Sequence, residues 1–138
     1  MPTPSGYSGT PLAKKLGIKP GFQLWIKNPP VPYTSFFNAL PDDVTILDNA
    51  KKATVDFVHL FCTTYAELEV CALECKSLLK KTGMLWVSWP KGSSKIPTDL
   101  KRDPIREYLL KVGLVDVKVA AVNEDWSGLK FVYRTKDR

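Results

Sequence analysis

Lys80-Lys81-Thr82-Gly83-Met84-Leu85-Trp86-Val87-Ser88-Trp89-Pro90-Lys91 is the stretch that decides the fold. It reads as a helix end, a glycine stop, a strand covered on both faces, and an exit into a polar loop. Just upstream, Thr64-Tyr65-Ala66-Glu67 has the form of a capping box, whose two end residues each satisfy a backbone donor of a helix's first turn. Leu68, Cys71, Ala72, Cys75, Leu78 and Leu79 follow at steps of three and four, a single apolar stripe at helical period. Lys76, Lys80 and Lys81 gather where the helix dipole favours cations, with Gly83 as the stop. The spacing predicts a helix from Thr64 to Gly83 and a strand over Met84–Trp89.

Strands alternate with helices on either side of this unit. Val55–Cys62 is almost continuously apolar, as a strand in a parallel sheet must be when both its faces are covered. Before it, Thr10-Pro11 starts a short helix with Leu12, Ala13 and Leu16 inward and Gly17 as its end. Phe22–Lys27 is a strand, Tyr33–Leu40 a short helix, and Val44–Leu47 a second strand. After it, Asp103 caps a helix with Pro104 at its first position, running to about Val112. In Val115–Ala121 and Leu129–Tyr133 apolar residues alternate with others, which predicts two half-buried strands joined as a hairpin by Asn123–Gly128. Val115, Val117, Val119 and Ala121 are the apolar positions of the first.

This order predicts an α/β protein: a three-layer, Rossmann-like, mostly parallel sheet with a C-terminal antiparallel hairpin. The outline resembles the class I S-adenosylmethionine-dependent methyltransferase branch of such folds in reduced form. Only Asp48–Thr54 separates the second strand from the third, so one strand–helix unit is missing. A single domain is expected over residues 1–138, with residues 1–9 loosely ordered.

Composition restricts the function class. The chain has a hydrophobic fraction of 44% and a charged fraction of 25%, ordinary for a globular domain. No apolar run reaches the roughly 20 residues of a membrane span, and Met1–Gly6 carries no apolar signal region. Three cysteines, Cys62, Cys71 and Cys75, do not form a disulfide framework, so a cytoplasmic location is expected. The net charge of +6 permits contact with anions without requiring nucleic acid. The positive excess lies in the first and last thirds, and Val55–Pro90 is slightly acidic.

The most informative chemistry is an absence. Rossmann domains end their first strand in a Gly-rich turn whose bare N–H groups face the ligand. Here the turn reads Asn28-Pro29-Pro30-Val31-Pro32, with no glycine and three residues without an N–H. This argues against dinucleotide or S-adenosylmethionine binding, so no cofactor and no methyl transfer are expected. Asn-Pro-Pro followed at once by an aromatic marks amino-group methyltransferases, but Val31 and Pro32 intervene before Tyr33. Asp48 follows the second strand where an acid can grip ribose hydroxyls, although an acid at a strand end is commonly a turn residue. Cys71 and Cys75 stand one helical turn apart on the apolar stripe, where free cysteine packs as a small hydrophobe; no metal is expected. His59, with apolar neighbours, reads as a buried, hydrogen-bonded residue.

Lys91-Gly92-Ser93-Ser94-Lys95 leaves the C-terminal end of a parallel strand, where such sheets bind ligands. Its lysines and hydroxyls suit a phosphate or carboxylate, and Trp89 and Trp126 add ring surface. Trp126 is also read as folding back onto the core. The candidate ligand-binding set is Asn28, Asp48, Trp89, Lys91, Ser93, Ser94, Lys95 and Trp126, with no catalytic residue among them.

Gly6–Gly21, Leu85–Lys91, Leu114–Val122 and Trp126–Val132 resemble, over nearly the full length, a small bacterial family of unknown function. That resemblance implies a bacterial protein with a degenerate methyltransferase-like domain and transfers no catalytic residues. The expected function is a non-catalytic binding or regulatory module. The alternatives are an enzyme or nucleotide- or phosphate-ligand-binding protein using Lys91–Lys95, and a nucleic-acid-binding domain using Lys91, Lys95, Lys101 and Arg102. The sequence leaves the partner open, with an anionic small molecule as one candidate; nucleic acid is not favoured, and no membrane is expected.

Overall fold

The computed structural model describes residues 11–138. In chain order these form α1 (Leu12–Leu16), β1 (Gln23–Lys27), a 3-10 turn (Tyr33–Phe36), β2 (Thr45–Ile46), β3 (Val55–Phe61), α2 (Tyr65–Leu78), β4 (Leu79–Pro90), α3 (Arg102–Lys111), β5 (Leu114–Ala121) and β6 (Trp126–Tyr133), with a last 3-10 turn at Thr135–Asp137. The expected Thr10 cap and loose ordering of residues 1–9 lie outside the described residues. Pro11 flanks α1 as its cap residue rather than opening the helix.

Six strands make one sheet in the order β2-β1-β3-β4-β6-β5. β2, β1, β3 and β4 run parallel, while β6 is antiparallel to both β4 and β5. This is the mixed, Rossmann-like α/β sheet that the alternating pattern predicted, with the hairpin reversing direction at one end. α2 and α3 cover one face, where Leu68, Cys71, Cys75, Ile105 and Leu109 pack on Val58, Leu60, Leu85 and Val87. α1 and the Tyr33 turn cover the other, on Leu24, Phe57, Phe61 and Trp86.

The Thr64 capping box forms as read, with Glu67 N–H donating to Thr64 Oγ1 at 3.1 Å and Thr64 N–H to Glu67 Oε1 at 3.2 Å. The far end of α2 differs from the expectation. The helix stops at Leu78, and Lys80 and Lys81 belong to β4. Long-range pairing sets this end: Ala53 and Thr54 N–H donate to the carbonyls of Ser77 and Leu78, and Leu79 pairs with Val55. The ladder then jumps to Phe57↔Met84, a bulge in β4 across which Lys80 pairs with Asp56 at 2.9 Å. Gly83 is therefore not a helix stop. A Cβ there would lie 2.8 Å from Leu79 Cδ1 and 3.0 Å from the Asp56 carbonyl, so the bulge needs a residue without one.

Three other expectations are corrected. Tyr33–Leu40 is not an α-helix but a single 3-10 turn over Tyr33–Phe36, ended at Phe37, whose backbone is already extended. Asp103 lies inside the first turn of α3 and does not cap it; Lys101 occupies the cap position without a side-chain bond. In β5 the alternation does not bury its valines: Val117 is 54% and Val119 55% exposed. β5 is an edge strand, and its register slips between Asp116↔Phe131 and Lys118↔Lys130, leaving Val117 as the extra residue. Bulges and lysines on an edge discourage pairing with further strands.

Candidate functional site

In parallel α/β sheets ligands bind outside the C-terminal strand ends, where neighbouring crossovers leave on opposite faces. Here that point lies between β1 and β3, since the chain leaves β1 over the Tyr33 face and leaves β3 over the α2 face. Asn28 stands at the end of β1 with φ +57, a left-handed conformation that asparagine tolerates. Its Nδ2 points at Cys71 Sγ on α2, 3.8 Å away. Beside it Lys27 pairs with Glu74 at 3.5 Å. Pro29, Pro30 and Pro32 carry the chain away with no N–H to offer a ligand.

On the Tyr33 face the space beside β3 is filled by rings. Phe36 stacks on Phe61 with centroids 5.6 Å apart, and Trp126 meets Phe61 edge-on at 5.3 Å. Tyr33 lies edge-on to Phe37 at 5.1 Å. Beneath them runs a buried polar chain: Tyr33 Oη to His59 Nδ1 at 2.7 Å, and His59 Nε2 to Ser88 Oγ at 2.7 Å. Burial lowers the His59 pKa to about 3 and raises the Tyr33 pKa well above its ordinary value. His59 is therefore neutral at pH 7, with both ring nitrogens engaged, and is structural as its apolar neighbours suggested. Gly128 allows β6 to close over this chain, because a Cβ there would lie 3.0 Å from the Trp86 ring and 3.2 Å from Ser88 Oγ.

The N-terminus of α2 is the other anion-receiving position at this edge. Asp99 Oδ1 already accepts from Tyr65 N–H there at 2.7 Å, and Thr98 Oγ1 donates to the Thr63 carbonyl at 2.6 Å. Hydrogen bonds from Thr63 and Thr64, the Thr63 amide foremost, hold the Glu67 carboxyl below its ordinary pKa. Neither Asp99 nor the Tyr33 chain was found in the sequence, because each depends on residues some 26–34 positions apart meeting in the fold.

The candidate set is divided by the fold. Asn28 and Asp48 are exposed at the ends of β1 and β2. Lys91–Lys95 leaves β4, and among the described residues no hydrogen bond or ion pair joins it to Asn28 or Asp48. The loop is tied instead to the hairpin: Lys91 N–H donates to the Asp125 carbonyl at 2.8 Å and Ser94 Oγ to Asp125 Oδ1 at 3.0 Å. Ser93 and Lys95 are exposed. Trp89 and Trp126 do not form a shared ring surface. Trp89 is buried against the α2 side and Trp126 against the α1 side, because Pro90, not Trp89, pairs with Trp126. Trp126 folds back onto the core, as read.

Cys62, Cys71 and Cys75 are buried free thiols, and burial foremost raises the Cys62 pKa to about 12. Among the described residues no cluster of histidine, cysteine or acid could hold a metal, and no helix is long and apolar enough to cross a membrane.

Sequence comparison finds no matching family model and no matching curated protein. Structure comparison does find relatives of the fold. A SAM-dependent methyltransferase from Aquifex aeolicus superposes with a TM-score of 0.60 at 16% identity, covering 86% of this chain and 85% of that one. The fibrillarin pre-rRNA processing protein of Methanococcus jannaschii gives 0.57 at 13% identity over 88% and 73%. A TehB-like SAM-dependent methyltransferase from Corynebacterium glutamicum gives 0.53 at 10% identity over 83% and 82%. The likeness is one of fold: the sheet, with its single reversed strand, is the methyltransferase-like Rossmann sheet.

Proposed function

We propose that this chain is a non-catalytic binding module built on a methyltransferase-like sheet whose cofactor crevice is closed by the protein's own residues. One observation carries the reading: the turn after β1 is Asn28-Pro29-Pro30-Val31-Pro32, and it delivers Tyr33 onto His59 with a 2.7 Å hydrogen bond. Where a cofactor would meet free amides there are prolines, and the adjoining ring space is taken by Phe36, Phe61 and Trp126. Asp99 supports the same reading by satisfying the amide at the start of α2.

Calorimetric titration with S-adenosylmethionine and S-adenosylhomocysteine tests it. The expected result is no saturable heat and no thermal shift, where a ligand at about 100 times its Kd would add about 2.7 kcal/mol. Saturable binding of either compound, lost in Asp48→Ala, overturns it.

A second reading is favoured by the position of Lys91–Lys95 at the C-terminal end of β4: a phosphate- or nucleotide-type ligand held by Lys91, Ser93 and Lys95. Thermal shifts with nucleotides and sugar phosphates that vanish in Lys91→Gln would select it over the first.

A further inference from the structure

Lys118 and Lys130 stand directly opposite each other on β5 and β6, on the sheet face that carries α1. Residues so paired have Cβ atoms about 5 Å apart, and like charges there repel. Trp86 continues the row on β4, opposite Lys130. The C-terminal end of α1 sits on this row: Trp86 Nε1 donates to the Leu16 carbonyl at 2.8 Å and Lys118 Nζ to the Lys15 carbonyl at 2.9 Å. Lys130 Nζ lies beside Gly17, 3.5 Å from where a Cβ would project. Lys14 and Lys19 flank the same helix end.

Among the described residues Lys14, Lys19, Lys118 and Lys130 enter no ion pair with an acid; the ion pairs use Lys27, Lys80, Arg102 and Arg106, none of them in this row. Residues 1–10 contain no aspartate or glutamate. Asp116, two residues before Lys118, is taken by Arg106 of α3 at 3.0 Å, and the Asp125 carboxylate accepts from Ser94 Oγ at 3.0 Å. Burial first, then Lys118 and Lys19, lowers the Lys130 pKa; burial first, then Lys118 and Lys91, lowers that of Lys15.

We infer that the face formed by the end of α1 and the Lys118–Lys130 row is a docking surface for the phosphate backbone of a nucleic-acid duplex, bound without sequence preference. Lys14, Lys19, Lys118 and Lys130, grouped on one face outside the ion pairs among the described residues, match a polyanion, and a surface that repels itself gains by neutralisation. The ring in the row, Trp86, is fully buried and cannot stack on unpaired bases. A membrane surface is the poorer match, because interfacial binding needs apolar side chains beside the cations. Val117 and Val119 flank Lys118 in the chain but line the hollow against α3, and the other exposed large apolar residues are Val70 and Leu73 on α2, Val31 after β1 and Ile46 on β2. The inference stands independently of whether the crevice at β1 takes a cofactor.

The test is fluorescence anisotropy with a short mixed-sequence DNA duplex between about 50 and 200 mM salt. The log of affinity should fall against log salt with a slope of about −4, as for four to five phosphate contacts. The double variant Lys19→Gln/Lys130→Gln should make the slope shallower by about 1.8. Lys51→Gln/Lys52→Gln removes the same charge from the exposed connection before β3 and should leave the slope unchanged. If the first pair fails to fold by circular dichroism, Lys14→Gln takes its place with an expected change of about 0.9. No duplex binding at low salt, equal loss in both pairs, or binding to phosphatidylserine vesicles but not to duplex would overturn the inference.

Discussion

The sheet face beneath α2 and α3 and the face beneath α1 and the Tyr33 turn are held by different means. The first is apolar and continuous: a capped helix and a second amphipathic helix press Leu68, Leu78, Ile105 and Leu109 onto the strands. The second has a five-residue helix and one 3-10 turn for cover. It depends on directional bonds between distant residues: Trp86 to Leu16, Tyr33 to His59, His59 to Ser88. Non-directional burial scales with area and is largely insensitive to protonation. A buried polar chain fixes geometry but fails abruptly if one member is lost or charged. The sparser face is also where Lys118 and Lys130 meet the end of α1, so the proposed docking surface lies over the side held by directional bonds.

Four measurements bear on this contrast. Leu68→Ala, on the apolar face, should lower stability by about 2–5 kcal/mol in urea unfolding at any pH between 5 and 8. A near-neutral result would mean that α2 contributes little to the core. Tyr33→Phe should lower stability by about 1–3 kcal/mol, since it leaves His59 Nδ1 buried without its partner. An unchanged midpoint would show that the ring contacts alone hold the turn.

The third measurement is acid sensitivity. His59 titrates near 6.5 when unfolded and near 3 when folded, so the unfolded chain takes up the proton first. Its contribution is complete above pH 6.5 and is lost as pH falls towards 3, about 2 kcal/mol of it between pH 7 and pH 5. His59→Gln should flatten that slope; an equal slope in the variant would assign acid sensitivity elsewhere. The smallest effect expected is from Thr64→Ala, about 1 kcal/mol through loss of the cap on α2.

The two faces also differed in how far sequence revealed them. The α2 face was legible because its signals are local: a capping box and a stripe at helical period specify the helix without knowledge of its neighbours. The parallel sheet followed from the apolar run of β3 and the alternation of elements. What stayed hidden was set by contacts distant in sequence. α2 ends at Leu78 because Ser77 and Leu78 accept from Ala53 and Thr54, although the stripe itself continues to Leu79. The valines of β5 alternate as an inward face would, yet the slip at Val117 and the edge position leave two of them in solvent.

The candidate site was legible in part. The proline-filled turn at Asn28 could be read directly, because prolines lack donors in any fold. The grouping of Trp89 with Trp126 failed because a one-residue offset in strand pairing sends their rings to opposite faces. The Lys118–Lys130 row was hidden for the same reason, since register, not spacing, makes those residues neighbours.

β6 lies between β4 and β5 in space but after both in the chain. During synthesis β4 therefore emerges with an unpaired edge, and β5 follows with no neighbour to join. The sheet becomes whole only when residues 126–133 insert between them. The β5–β6 hairpin closes locally, but its docking on β4 joins residues far apart in the chain, a long-range step that local helix formation cannot hasten. Until then the growing chain exposes an apolar strand edge able to pair with other nascent chains.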